Sequence, residues 1–343
     1  MEIAEAQRLW SPAGPYLNTA TFGLPPQPAW NALQAALEDW HHGRTSWEHW
    51  GEETDRARRA FGRMIGVPAE DVATGGTTSE HVAVIAASLP DGARVLVPEG
   101  DFTSLVYPFV TQADRGVEVE TVPLDRLADA VRSRTDVVAA SLVQSATGEV
   151  LALDDVVEAA RANDALVVLD ATQACGWLPF DGSRVDVVAA HAYKWLCSPR
   201  GTAFCFIRPE VGERLRPHAA NWWSAEPRYT YYETELTLAP GARRFDTSPA
   251  WFPWVGTAPT VELLVEIGIE AIHDHDVGLA NRFRAGLGLE PGNSPIVSAA
   301  VPGADERLEQ AGIRAAVRAG HLRASFHVYT TEADVDAALD ALS

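Results

Sequence analysis

From Arg94 to Ile207 short apolar runs alternate with amphipathic stretches, and this alternation restricts the fold more than any other feature of the chain. Arg94–Pro98, Val117–Val122, Val137–Val143, Ala165–Leu169, Val185–Ala190 and Thr202–Ile207 are short, mostly apolar runs of strand length, which predicts buried strands. Between several of them lie stretches such as Asp154–Asn163, whose apolar residues recur at helical spacing. Such repetition predicts an α/β fold with a large, doubly wound, mainly parallel sheet. Ligands of these sheets bind at the carboxyl ends of the strands, so residues just after each run are the first to inspect.

The flanks read differently. Gln27–Met64 is mainly helical in pattern, with the acidic and aromatic stretch Trp47–Glu53 inside it. Pro217–Trp254 is rich in proline and aromatic residues and irregular. The remainder predicts a smaller α+β unit: a helix over Thr257–His273, strands near Ile296–Val301 and Leu322–His327, and a closing helix Glu332–Leu342. The expected division is a large domain over 16–250 and a small domain built from 1–15 and 251–343.

Charge and composition narrow the partners. Forty-seven acidic against 27 basic residues give a net charge of -20, a field that repels nucleic-acid phosphates and anionic lipid surfaces. No apolar run reaches the roughly 18 residues that span a bilayer, and no secretory leader is recognisable, so a cytoplasmic protein is expected. Cys175, Cys197 and Cys205 lack metal-site spacing and read as buried thiols. His41, His42 and His49 lie near Glu48, Glu52 and Glu53, and a solvated helix face explains them better than a metal, so none is expected.

One lysine stands out. Of the 27 basic residues 26 are arginine, leaving Lys194 alone. A lysine amine loses its proton when desolvated and attacks a carbonyl to form a Schiff base, which a guanidinium does not do. Asp170 follows one buried run, and His191, Tyr193 and Lys194 follow another, at the same predicted sheet edge. A Schiff-base lysine with a carboxylate that keeps a pyridine nitrogen protonated is the minimum equipment of a pyridoxal phosphate enzyme. Gln173, three residues beyond Asp170, is a candidate donor to the cofactor's phenolic oxygen. Gly75-Gly76-Thr77-Thr78-Ser79-Glu80 opens a helical stretch and reads either as an ordinary cap or as a phosphate site. Phe102 follows the run ending at Pro98 and is placed either in the core or against the pyridine face. Arg323 interrupts an apolar strand, and its partner is either a substrate carboxylate or an internal acid.

The runs D-A-T-Q-A-C-G (Asp170–Gly176) and H-A-Y-K-W-L-C-S-P-R-G (His191–Gly201) resemble the class V aminotransferase family of fold-type I pyridoxal phosphate enzymes. That family includes cysteine desulfurases, selenocysteine lyases, kynureninases and isopenicillin N epimerase-like proteins. The likeness extends from Tyr16–Gly23 (Y-L-N-T-A-T-F-G) to Arg323–Asp336 (R-A-S-F-H-V-Y-T-T-E-A-D-V-D). It implies Lys194 as the Schiff-base lysine and Asp170 as the pyridinium partner. It further implies Thr77, Thr78, Phe102, Gln173, His191 and Tyr193 as cofactor contacts, with Gln144 and Ser145 ranked lower. Arg323 and Asn18 would bind the substrate. The resemblance also implies a homodimer with shared active sites, to which Arg243–Trp254 would be the neighbour's contribution.

The departures bear on the reaction. Desulfurases carry a sulfur-accepting cysteine on a loop before the closing arginine, whereas here Arg318-Ala319-Gly320-His321 runs directly into Leu322-Arg323. Ser198 replaces a frequent glycine before Pro199, and Thr330 replaces a usual asparagine. The reading favours an aminotransferase acting at the α-carbon of an amino acid, ahead of a β-eliminating C–S lyase and an epimerase. A non-catalytic scaffold on the same fold is the remote alternative. The aromatic residues Trp222, Trp223, Tyr229, Tyr231, Tyr232, Trp251, Phe252 and Trp254 are expected in a dimer contact or, less favoured, in a substrate pocket. Arg228, Arg243 and Arg244 are expected in surface pairs rather than on a second acidic group of a substrate.

Overall fold

A computed structural model describes residues 1–343. In chain order the elements are α1 (Ile3–Ala6), α2 (Gln27–His41), α3 (Trp47–Ile65), β1 (Val72–Gly75), α4 (Thr78–Ser88), β2 (Arg94–Pro98), α5 (Thr103–Val110), β3 (Glu118–Val122), α6 (Leu127–Ala130), β4 (Val137–Ser141), α7 (Leu153–Ala162), β5 (Leu166–Asp170), β6 (Val187–His191), β7 (Ala203–Ile207) and α8 (Pro209–Gly212). There follow α9 (Trp251–Ile267), α10 (Ile269–Gly286), β8 (Ile296–Ala299), α11 (Ala304–Gln310), β9 (Ala316–Arg318), β10 (His321–Ser325) and α12 (Glu332–Leu342).

Seven strands form the large sheet in the order β1-β7-β6-β5-β4-β2-β3. The pairs from β6 through β5, β4 and β2 to β3 are parallel, while β7 runs antiparallel to both β6 and β1. Reversing twice brings β1 back into the direction of β6, so the carboxyl ends of β1, β2, β4, β5 and β6 share one edge. β4, β6 and β7 are buried along their whole length, as strands covered on both faces must be. The outer strand β3, expected to be buried, is largely exposed because it lies at the sheet edge, and it carries Glu118 and Glu120, charges that discourage pairing with another chain.

The chain thus has the α/β architecture expected of fold-type I pyridoxal phosphate enzymes, and the departures from the sequence reading are local. The helical stretch expected over Gln27–Met64 is two helices, α2 and α3, separated at 42–46 next to Gly43. The helix expected over Thr257–His273 begins at Trp251 and breaks at Gly268, whose φ of 98° interrupts the ladder and starts α10. Two short strands, β1 and β9, had no counterpart in the reading. Helix α3 packs along α9, and its Arg58 is buried against Asp246, Nη2 to Oδ2 at 2.6 Å. Asp246 Oδ1 also accepts from Thr74 N of β1 at 2.8 Å, which ties the segment before α9 to the sheet.

The C-terminal unit is an antiparallel sheet ordered β8-β10-β9, packed on α10, α11 and α12 around Leu279, Phe283, Val297, Leu322, Phe326 and Val335. Helix α12 is capped reciprocally by Thr331 and Asp334. The N-terminal segment joins the two units: Leu17 N donates to Arg314 O at 2.7 Å and Ser325 N to Leu17 O at 2.9 Å, while Gly23 N donates to Tyr193 O of the large unit at 2.9 Å. No helix is long and apolar enough to cross a membrane.

Candidate active site

The shared strand edge delivers its residues to one cavity of about 250 Å³, lined by Thr77, Thr78, Phe102, Asp170, His191 and Lys194 among others. A larger surface groove of about 680 Å³, between the N-terminal segment and Arg314, is lined by no carboxylate, histidine or lysine.

Lys194 is 5% exposed and its Nζ lies 5.2 Å from the centre of the Phe102 ring and 5.7 Å from that of Tyr193. Burial lowers the amine to about 8 against the pull of Asp170, and Arg323, Arg318 and Arg200 push it the same way. A fraction of it is therefore a free base near neutrality. The loop that carries it is packed tightly: a Cβ on Gly23 would sit 1.9 Å from the Lys194 carbonyl oxygen, so only glycine fits there.

Asp170 ends β5 and is 4% exposed, with Oδ1 accepting from Thr172 N at 2.8 Å. Burial raises its pKa, opposed by Thr172 and by Lys194. Such a carboxylate is stabilised by a cationic N–H brought to it. His191 ends β6, and its Nε2 is buried without a partner. Burial, then Arg200 and Lys194, hold its ring down at about 4, so it is neutral. At the end of β1, Thr77 caps α4 in a reciprocal box with Glu80. Glu80 occupies the N–H groups of Gly76 and Thr77, at 2.8 and 3.1 Å. The anion-binding capacity of this helix end therefore rests on the Thr78 and Ser79 N–H groups and on nearby hydroxyls. Thr78 Oγ1 is 3.1 Å from Thr172 Oγ1, which also accepts from His191 N at 3.0 Å.

Phe102 is 44% exposed and stands over the amine. Asp101 fixes it, accepting from Phe102 N at 2.6 Å and, across the sheet edge, from Ser141 N at 2.7 Å and Ser141 Oγ. Gln173 lines the cavity with its amide committed: Nε2 donates to Ala20 O at 3.0 Å and Ser145 Oγ at 2.9 Å, and Oε1 accepts from Trp195 Nε1 at 2.7 Å. Gln144 is buried with Nε2 unpartnered.

Arg323 is 2% exposed, and none of the ion pairs of the chain includes it. It donates from Nη1 to Ser145 O at 2.5 Å and from Nη2 to Thr21 Oγ1 at 2.7 Å, leaving Nε unpartnered. Burial and the neighbouring Arg318 lower it to about 10, against a weaker pull from Tyr193. Of the two partners open to it from sequence, the internal acid is absent. Asn18 stands back from the cavity: its carbonyl accepts from Thr21 N and Phe22 N, shaping the turn that presents Thr21, while its buried Oδ1 is unpartnered.

Sequence reasoning missed Asp101, Ser141, Thr172 and Arg200. Thr172 lies within the quoted D-A-T-Q run and Asp101 beside Phe102, so adjacency was the available signal. The aromatic residues from Trp222 to Trp251 gather around Trp47, which stacks on Trp251 at 5.8 Å, and none of them lines the Lys194 cavity. Arg228 and Arg243 pair with Asp55 and Glu226. Cys175, Cys197 and Cys205 are buried free thiols outside the cavity.

Comparison with known proteins places this geometry. The sequence pattern described as Aminotransferase class-V matches residues 18–302. The chain belongs to that family. It is similar to an uncharacterised aminotransferase of Bacillus subtilis (26% identity, 92% of this chain and 90% of the relative). It is also similar to the isopenicillin N epimerase of Streptomyces clavuligerus (28% identity, 84% and 83%). Among solved structures, the cysteine desulfurase CsdA of Escherichia coli shares the fold with a TM-score of 0.84 at 20% identity over 99% of this chain and 97% of the other. The cystine C–S lyase C-DES, solved with cysteine persulfide, shares it with a TM-score of 0.85 at 22% identity over 95% and 96%.

Members of this superfamily are pyridoxal-phosphate-dependent enzymes, and this chain is one that acts on an amino-acid-type substrate. The residues present fit that cofactor. Asp170 offers a buried carboxylate, His191 an unpartnered buried nitrogen, and the start of α4 free N–H and hydroxyl donors.

Proposed function

We propose that the enzyme is a β-eliminating lyase that cleaves a carbon–sulfur bond of an amino acid and releases the sulfur product. When bound, the cofactor supplies an electron sink for the α-carbon. Asp170 would hold its ring nitrogen protonated, Phe102 would cover its face, and Thr77, Thr78 and His191 would hold its phosphate end. Lys194 would join it covalently until the substrate amine takes its place. Arg323, buried and free of any carboxylate partner, would take the α-carboxylate in its guanidinium fork. The substrate would then be aligned with its α-hydrogen toward the displaced Lys194, which removes that proton as general base. The same amine would return the proton to the departing sulfur. The released enamine hydrolyses to a keto acid and ammonia.

The observation that carries elimination with release is the closure of the β9–β10 hairpin. Its turn is Ala319-Gly320, both with positive φ, so the chain passes from Arg318 to Arg323 with no loop and no thiol. A sulfur that leaves the substrate therefore meets no acceptor on this part of the protein, which favours release over transfer. The likeness to a cystine C–S lyase over nearly both whole chains agrees with this reading. A second reading, epimerisation, is supported by the match to isopenicillin N epimerase over 84% of the chain. Transamination would use Lys194, Asp170 and Arg323 in the same roles and is the third outcome. We further infer a homodimer in which Arg243–Trp254 completes the neighbouring site, and a cytoplasmic location.

A single experiment separates the reactions. The cofactor-loaded enzyme is mixed in deuterium oxide with cystine, S-substituted cysteines and other amino acids, without a keto-acid acceptor. Catalytic release of keto acid, ammonia and thiol or persulfide is expected. Inversion with deuterium uptake and no keto acid would establish the epimerase instead. One equivalent of keto acid per site, with conversion of the cofactor to its amine form, would establish the aminotransferase.

A further inference from the structure

Behind the catalytic cavity lies a buried pair that the reaction itself does not use. His327 and Asp276 are both fully buried, with Nδ1 2.7 Å from Asp276 Oδ2. The other ring nitrogen, Nε2, is 2.9 Å from the carbonyl oxygen of Trp195, the residue after Lys194. That carbonyl only accepts, so Nε2 carries a proton and donates. His327 is also the sole hydrogen-bond donor to Asp276, whose Oδ1 is unpartnered.

The lysine loop is held at three successive carbonyls. Tyr193 O accepts from Gly23 N at 2.9 Å, Lys194 O from Cys197 N at 3.0 Å, and Trp195 O from His327. Only Trp195 O is held by side chains, by His327 of the C-terminal unit at 2.9 Å and more weakly by the Cys197 thiol at 3.8 Å. Trp195 is gripped at its other end as well, since its indole Nε1 donates to Gln173 Oε1 at 2.7 Å. Gln173 in turn donates to Ser145 Oγ, and Ser145 O accepts from Arg323. A continuous hydrogen-bonded path thus runs from Asp276 on α10, past the backbone of the lysine loop, to the arginine on β10.

We propose that the Asp276–His327 pair is a positioning device for Lys194, fixing the Trp195 carbonyl so that the amine is aimed into the cavity. Neither residue touches the cavity, so both act through the loop. The inference rests on the reading of Lys194 as the lysine that binds the cofactor. Its physical basis is that a displacement of the order of 1 Å at a reacting group costs up to about 100-fold in rate.

The test uses the full-length protein loaded with pyridoxal phosphate and three variants, His327→Phe, His327→Gln and Asp276→Asn. Two readouts are independent of turnover: the pH midpoint of the cofactor's visible absorption band, and the rate at which hydroxylamine strips the cofactor. For His327→Phe we expect stripping to be about tenfold faster, the band midpoint to shift, and kcat to fall about tenfold at nearly unchanged KM. His327→Gln, which restores an N–H toward Trp195, should recover most of each change. If His327→Phe does not fold, Asp276→Asn decides: it keeps the Trp195 bond but removes the charge behind it, and about a threefold change in the same direction is expected. Lower thermal stability with unchanged band midpoint and stripping rate, in whichever variant folds, would overturn the proposal. Failure of the wild-type chain to form the band at all would instead overturn the reading of Lys194.

Discussion

Two cationic groups lie on either side of the same loop, Lys194 and His327, and their surroundings are opposite. Lys194 faces a cavity whose carboxylate, Asp170, joins it in no ion pair, and the guanidinium groups of Arg323, Arg318 and Arg200 disfavour its charge. His327 faces a carboxylate at 2.7 Å and a carbonyl at 2.9 Å, and both its nitrogens are used. Burial alone lowers both groups; the Asp276 carboxylate reverses the effect for His327 and holds it up to about 10, while Lys194 stays at about 8. The difference is one of what each group is left to bind: around Lys194, the His191 Nε2 is open where a cofactor would supply the partner, whereas both ring nitrogens of His327 are closed where a backbone has to be held still.

The comparison is broken most severely at the open side. Lys194→Ala should reduce turnover by more than about 1000-fold, since it removes both the covalent attachment and the general base. The chain should stay folded, as judged by circular dichroism, because no hydrogen bond of the core depends on the amine. Arg323→Gln comes next. Leaving the substrate carboxylate without its buried partner should cost about 2–5 kcal/mol in kcat/KM, with little change for an amine analogue that lacks the carboxylate. Equal losses on both substrates would contradict the role given to Arg323.

The closed side should show itself in stability. His327→Gln should destabilise the fold by about 3 kcal/mol in denaturant titration, because an unpaired buried carboxylate remains. The pH dependence has a definite sign. The folded-state pKa of His327 lies above its usual 6.5, so its contribution is fully present below about pH 6.5 and is lost as pH rises through about 10. The thermal midpoint of the wild type should therefore fall more steeply between pH 7 and 10.5 than that of His327→Gln, and parallel profiles would contradict the charged pair. The smallest effect is expected at the thiols. Burial pushes Cys175 and Cys205 up, and single alanine replacements of any cysteine should leave turnover within about twofold. A large loss at one of them would revive transfer of sulfur to the protein.

Much of this was legible in the sequence, for reasons that differ by residue. The inner parallel strands β4, β5 and β6 announced themselves because each is a run rich in valine, alanine and leucine covered on both faces, and the only lysine named itself. β1 was not legible: its four residues, Val72 to Gly75, include one β-branched apolar side chain. The break between α9 and α10 depends on a single glycine with positive φ inside an otherwise continuous helical pattern. The Asp276–His327 pair was invisible for a different reason. Its members are 51 residues apart and each reads as an ordinary polar residue, so only the packing of α10 against the segment after β10 brings them together. Asp101 and Ser141 likewise meet only because β2 and β4 are neighbours in the sheet.

Because Lys194 is the only lysine, one chemical measurement bears directly on the open side of the comparison. The purified protein is saturated with pyridoxal phosphate, reduced with borohydride, digested and mapped by mass spectrometry. The account predicts one cofactor fixed per chain, on the peptide that contains Lys194. Label confined to the N-terminal amine, or no fixed cofactor while the protein is folded, would contradict it.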